Sequence, residues 1–246
     1  EPTGRIHTEY LQTVASTGRL SSISPNLQNI PIRTERGKQV RKAFIPRNEN
    51  YILLAADYSQ IELRVIAALS EEKTMIEAFK NGEDIHASTA AKVFNVNLSD
   101  VTKEQRSNAK TVNFGIIYGV SAFGLSNQTE LNRTQSKELI ETYYKTYPML
   151  SAFVRDQIDF ARENGYVETI SGRRRYLKDI NSQNAIIRGA AERNAVNAPI
   201  QGSAADMTKK AMVLLYEKGI VPHIQIHDEL CVSIKDQETR TMVQNI

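Results

Sequence analysis

The chain of 246 residues contains one cysteine, Cys231. That excludes an intrachain disulfide and any cysteine-rich zinc site, and it agrees with a reducing compartment. No apolar run approaches the roughly 20 residues that a membrane-spanning helix needs, and no charged-then-apolar signal segment opens the chain. A cytoplasmic protein with no membrane partner is expected. Internal repeats and low-complexity tracts are missing as well. So is a strong charge of one sign: 31 basic against 28 acidic residues leave a formal net charge of +3, too small to argue for nucleic acid by itself. With 41% hydrophobic residues the chain buries a sizeable core, as one large domain or two smaller ones. The first residue is Glu1, and the stretch from Gln237 to Ile246 reads as a helix interrupted in mid-pattern. The expectation is a piece of a longer protein.

What is present is more pointed. The stretch from Arg106 to Gly119 opens on a capping box, Thr102 followed three residues later by Gln105. With about 3.6 residues per turn, Arg106, Lys110, Phe114 and Tyr118, spaced by four, share one drifting stripe of that helix. Gly115 and Gly119 mark where it loosens or stops. A core-facing stripe carries Leu, Ile or Ala, and a solvated one carries mixed charge. Two cations followed by two rings match a ligand with an anionic tail and a flat base, which is the shape of a nucleoside triphosphate.

The rest of the chain supplies acids and amides. Tyr51 to Ala56 is a short apolar run suited to a buried strand, and it delivers Asp57 at its end. An acid there either serves a cleft or caps the next helix, Ile61 to Leu69. Ser70, with Glu71 and Glu72 behind it, is expected to start a helix that stops at Gly82. From Asp84 to about Leu150 the pattern is helical almost throughout. Tyr166 to Ile170 and Arg173 to Leu177 predict a small hairpin turned at Ser171-Gly172. Helices follow over Ala185 to Asn197 and Ser203 to Lys218. Val221 to Ile234 predicts a second hairpin with His227-Asp228-Glu229 at its tip. Adjacent acids at a tight junction repel unless a cation or donors neutralise them; the same triplet is also compatible with an exposed acidic turn. Basic residues cluster between Arg33 and Arg47 and again at Arg173-Arg174-Arg175 with Lys178. Such clusters bind phosphate backbones and also occur on ordinary solvated faces.

Three separated motifs, Asp57 through Arg64, Arg106 through Gly119, and His227-Asp228-Glu229, resemble those of family A DNA polymerases of the bacterial DNA polymerase I type. Thr17 to Ser22, Pro25 to Pro31 and Pro199 to Asp206 are similar to that family too. The resemblance implies an α+β right-hand polymerase fold, with an antiparallel palm sheet and inserted helical fingers. Residues 1–69 and 190–246 are then palm, the second part truncated, and 70–189 fingers; thumb and last palm segment lie outside the chain. It also implies template-directed DNA synthesis by a protein that is a monomer at full length, with primer-template DNA and dNTPs as partners and two Mg2+ ions as cofactors. Asp57, Asp228 and the Tyr58 carbonyl are the implied metal ligands, with Glu229 beside them. Arg106 and Lys110 grip the triphosphate, helped by His86 and Gln60. Phe114 stacks beside sugar and base, and Glu62 with Tyr118 gates against a ribose 2'-hydroxyl. Arg19, Asn26, Gln28, Asn29, Arg193, Asn197, Gln201 and His227 are the implied DNA contacts. Two other classes are weighed: a non-catalytic DNA-binding module of the same fold, which has no use for clustered acids, and a two-metal nuclease, which has no use for a triphosphate clamp.

Overall fold

The computed structural model describes residues 3–32, 34–46 and 48–235. Arg33 and Arg47 of the first basic cluster, and the helix expected over 237–246, lie outside the described residues. In chain order the elements are β1 (Glu9–Leu11), β2 (Ser21–Ile23), α1 (Glu35–Arg41), β3 (Tyr51–Asp57), α2 (Ile61–Leu69), α3 (Lys73–Lys80), α4 (Ile85–Val93), α5 (Lys103–Ile117), α6 (Ala122–Ser126), α7 (Arg133–Thr146), α8 (Pro148–Asn164), β4 (Tyr166–Glu168), β5 (Arg174–Tyr176), α9 (Ala185–Glu217), β6 (Ile224–Ile226) and β7 (Glu229–Lys235). They form two compact units, one of Glu1–Ser59 with Ala204–Ile246 and one of Gln60–Ser203. No helix among the described residues is long and apolar enough to cross a membrane.

The first unit is built on a three-stranded antiparallel sheet in the order β3-β7-β6. β7 alternates strictly, burying Leu230, Val232 and Ile234, as a strand with one face on a core must. Leu214 and Leu215 of α9 line, with Leu230 and Val232, an apolar cavity of about 540 Å³. β3 departs from the expected buried strand: Ala55 and Asp57 are exposed and the rest only half-buried. Among the described residues it pairs on one side alone, with β7, and so remains an edge. The loop segment before it is anchored to β6. The Tyr10 hydroxyl donates to the Gln225 carbonyl at 3.0 Å and accepts from the Gln225 amide at 2.9 Å. Gln28 Nε2 donates to Gln225 Oε1 at 2.8 Å.

The second unit is helical apart from the β4–β5 hairpin, which turns at Gly172 as expected. α2 contributes Ile61, Leu63, Val65 and Ile66 to its core. A second apolar cluster joins Ala161 of α8, Val167, Leu177 and Ile180 around the hairpin, and Ala191, Ala195 and Ala198 of α9. Two expectations fail here. Ser70 does not begin a helix; its hydroxyl donates back to the Ile66 carbonyl at 2.7 Å, and Glu72 is the N-cap of α3. Glu71, in the left-handed region at φ 54°, separates the two helices. The second failure is the break expected after Asn197. α9 runs on through Pro199, because Ala195, Val196, Asn197, Ala198 and Ile200 are all buried and their packing outweighs the about 3 kcal/mol that a mid-helix proline costs.

Glu72 also joins distant parts of this unit. It is 4% exposed, and its carboxylate accepts from Thr74 N in α3 and, at 3.1 Å, from Met149 N in the first turn of α8. Glu72→Ala removes a cap and orphans a part-buried amide. The expected loss is about 2–4 kcal/mol, read as a fall in the urea midpoint, with Glu72→Gln intermediate because an amide oxygen still accepts.

Candidate active site

The acidic constellation is assembled by strand register in the first unit. Asp57, the last residue of β3, stands directly across from Glu229, the first of β7. Ile226 pairs with Glu229, so His227 and Asp228 alone make the β6–β7 turn. His227 takes the left-handed region at φ 56°, a conformation uncommon without glycine and found disproportionately at functional sites. The Tyr58 amide donates to the Asp228 carbonyl at 3.3 Å, which ties the turn to the end of β3. Partial burial, then the charges of Asp228 and Glu229, push the Asp57 carboxyl above its ordinary value. Cys231 is a half-buried residue of β7 as expected, and its thiol donates to Glu229 Oε1 at 3.3 Å. Burial and that carboxylate push the thiol up to about 12, so it is inert.

Among the described residues no group of three or more His, Cys, Asp or Glu side chains forms a complete metal cage. The donor set nonetheless suits a hard dication. Asp57 and Asp228 supply carboxylate oxygens, the repulsion between them is what such an ion removes, and Mg2+ retains waters and takes phosphate oxygens where protein ligands are few.

The loop residues of this unit are more occupied than the sequence suggested. Asn26 caps the turn Leu27–Asn29 by accepting from Gln28 N. Gln28 is held by Gln225. Asn29 is exposed and Arg19 half-exposed.

In the second unit α5 has the two faces that its sequence predicts. Its capping box is formed, Thr102 accepting from Gln105 N and Gln105 accepting from Thr102 N. Asn108, Ala109, Val112, Asn113, Ile116 and Ile117 are buried. Arg106, Lys110 and Tyr118 are exposed and Phe114 half-exposed. Lys110, Phe114 and Tyr118 line a cleft of about 780 Å³ together with Arg193 of α9. Gly119 makes this possible. A β-carbon there would lie 2.6 Å from Arg193 Cγ, and its φ of 65° is left-handed.

Partners missing from the sequence reading surround this face. Arg106 Nε donates to Asp84 Oδ2 at 2.7 Å. Asp84 also caps α4, accepting from the His86 and Ala87 amides. Burial works against the Asp84 carboxylate, but the Arg106 and backbone hydrogen bonds hold it below its ordinary range. His86 is 3% exposed; burial pushes its pKa down, the Asp84 charge opposing and those of Arg106 and Lys110 adding to the fall. Its ring lies 5.7 Å from that of Phe114, and its Nε2 is 3.4 Å from Gln60 Nε2. Gln60 itself is left-handed, at φ 56°. The Tyr118 hydroxyl donates to Glu62 Oε2 at 3.1 Å, across 56 positions of sequence. On α9, Asn197 is buried and its Nδ2 has no hydrogen-bond partner, and Gln201 is half-buried. Asp84 and Asn113 were not legible as site residues, because what marks them is a partner on another helix.

The family model for DNA polymerase family A matches residues 1–246. The chain is 48% identical to the DNA polymerase I of Caldicellulosiruptor bescii and 50% identical to that of Streptococcus pneumoniae serotype 4, in each case over 96% of this chain and 28% of the relative. It thus spans little more than a quarter of the length of these relatives. A solved structure, the POL domain of Pol1 from M. smegmatis in complex with DNA primer-template and dNTP, superimposes with a TM-score of 0.92 at 45% identity, covering 99% of this chain and 44% of that one.

The acidic cluster has a measurable cost. A carboxyl whose folded pKa is raised binds its proton more readily in the folded chain, so its penalty is fully present above the folded pKa and disappears below the unfolded value, about 4. In EDTA, Asp57→Asn is therefore expected to unfold at a higher temperature than the parent at pH 7, by less than about 1 kcal/mol because the site faces solvent. The difference should vanish by about pH 3.5. Equal midpoints at pH 7 would show that the carboxylates do not repel.

Proposed function

The chain belongs to DNA polymerase family A, and from that membership we propose that it carries out template-directed DNA synthesis, adding dNMP from a dNTP to a primer 3'-hydroxyl with release of pyrophosphate. The three-stranded sheet unit is the palm and the helical unit contains the fingers, with the functional boundaries at 69/70 and 189/190. The observation that carries the reading is the open face of α5, where Arg106, Lys110, Phe114 and Tyr118 stand free of the core while the opposite face is buried. A DNA-binding module needs no such graded face, and strand hydrolysis needs no clamp for a triphosphate and a base.

Each residue type has work to do in that reaction. Lys110 and Arg106 bind the triphosphate as cations, Arg106 held at its base by Asp84 so that its guanidinium is partly oriented before the nucleotide arrives. Phe114 offers its ring edge and face to sugar and base, with His86 behind it. Glu62, fixed by the Tyr118 hydroxyl, presents a carboxylate where a 2'-hydroxyl would intrude, and the lack of a hydroxyl on Phe114 disfavours dideoxynucleotides. Asp57 and Asp228, with the Tyr58 carbonyl, hold two Mg2+ ions, and Glu229 supports them. When bound, those ions lower the pKa of the primer hydroxyl and steady the leaving pyrophosphate. Arg19, Arg193, Gln201, His227, Asn26, Gln28 and Asn29 contact the primer-template. Asn197 joins them, since its buried Nδ2 lacks an acceptor and an orphaned donor costs about 1–3 kcal/mol until a ligand takes it. Donors in the minor groove meet acceptors common to every correct pair, so they test geometry without reading sequence.

Primer extension on a defined primer-template, in Mg2+ with one dNTP at a time, tests the proposal. Template-directed addition is expected, with Asp57→Ala or Asp228→Ala lowering it by about a thousandfold or more, the equivalent of several kcal/mol of charge stabilisation. Shortened primer in place of extension identifies a nuclease. Retained primer-template binding with no extension, under conditions where a DNA polymerase I extends, identifies a binding module.

A further inference from the structure

We infer that Asn113 is a positioning residue that locks His86 as the neutral tautomer with its proton on Nε2, so that the wall of the nucleotide pocket offers a hydrogen-bond donor and no third cation. The inference rests on the nucleotide pocket proposed above and concerns residues that the α5 stripe does not contain. Asn113 and Phe114 are neighbours in sequence on opposite sides of the helix: Phe114 lines the cleft, while Asn113 is fully buried.

The buried side chains form a chain of donors with one direction. Tyr147 is fully buried, and the one side-chain partner of its hydroxyl among the described residues is Thr89 Oγ1, at 3.0 Å. Burial pushes this phenol up to about 12, so it keeps its proton, and a buried donor must be satisfied. Tyr147 therefore donates to Thr89. Thr89 has one proton of its own and sends it to Asn113 Oδ1, at 3.3 Å. That contact turns the amide so that its nitrogen faces the histidine, and Asn113 Nδ2 stands 3.0 Å from His86 Nδ1. A ring nitrogen that accepts carries no proton, so the proton of a neutral imidazole sits on Nε2. Gln60 is the neighbour of that nitrogen, at 3.4 Å, a contact long enough to be exchanged for an oxygen of an incoming nucleotide. Two cations, Arg106 and Lys110, already face the same ligand; a neutral donor adds direction without tightening the hold on the anionic product.

The test is the tautomer itself. In the full chain labelled with 15N-histidine, long-range 1H–15N correlations distinguish the two tautomers of each of the 4 histidines, with His86 assigned by loss of its signals in His86→Asn. The parent is expected to show an unprotonated Nδ1 and a protonated Nε2 at His86. Asn113→Asp, whose carboxylate can only accept, should reverse the pattern, and Tyr147→Phe should leave a mixture. A proton on Nδ1 in the parent overturns the inference even if every variant fails to fold. A functional arm measures the dissociation constant of dATP in Mg2+ on primer-template. Asn113→Leu should raise it by about fivefold, the worth of one hydrogen bond. No rise with Asn113→Leu while Lys110→Ala weakens binding overturns the role given to Asn113 alone. No effect of either substitution shows instead that the nucleotide pocket itself was misassigned, and the inference falls with it.

Discussion

Mutual repulsion of carboxylates at the end of one antiparallel ladder is the constraint on which the acidic half of the site depends. The β3–β7 register sets Asp57 opposite Glu229, and a two-residue turn leaves Asp228 beside them. A shift of one residue would turn Asp57 to the other face of the sheet. The register is held where it is by the strict alternation of β7, whose Leu230, Val232 and Ile234 are buried. Apolar packing thus holds together what electrostatics would separate, a familiar exchange of stability for function. The left-handed backbone at His227 is part of the same arrangement, because a turn of only two residues leaves few conformations open.

In the helical unit the governing feature is the double use of α5. One face is core, and the other is kept out of it by residues that are poor at being buried. The interhelical contacts then refine the exposed face. Asp84 caps α4 and holds Arg106, so one carboxylate both starts a helix and orients a cation. Tyr118 reaches Glu62 on α2. Gly119 is required at its position by a left-handed φ and by the Arg193 side chain running against it. Each contact is local in space and remote in sequence.

Beneath this face lies a polar layer rather than a purely apolar one. His86, Asn113, Thr89 and Tyr147 satisfy one another inside the core, and a buried network that is fully satisfied restricts its members to one arrangement. Such a layer costs desolvation and gives orientation in return. A leucine at position 113 would pack as well as asparagine and leave the His86 ring free to choose its proton.

Membership of DNA polymerase family A, the capping box and two-faced character of α5, both hairpins and the approach of Asp57 to the His227-Asp228-Glu229 turn are all contained in the sequence. They rest on local chemistry, namely periodicity, caps, turn residues and alternation, and on motifs short enough to be read one at a time. Other features came only with the tertiary structure. Ser70 had the composition of a cap, but its hydroxyl was taken by the preceding helix and Glu72 did the capping. Pro199 had the composition of a break, but a buried surround carried the helix through it. Gln28, on a polar loop, turned out to be bound to Gln225, 197 positions away. Asp84 and Asn113 gave no sign of their parts, since neither spacing nor composition reports a partner on another helix. Local propensities are weak, of the order of 1 kcal/mol per residue, and burial of a whole segment exceeds them; wherever the two disagreed, packing decided.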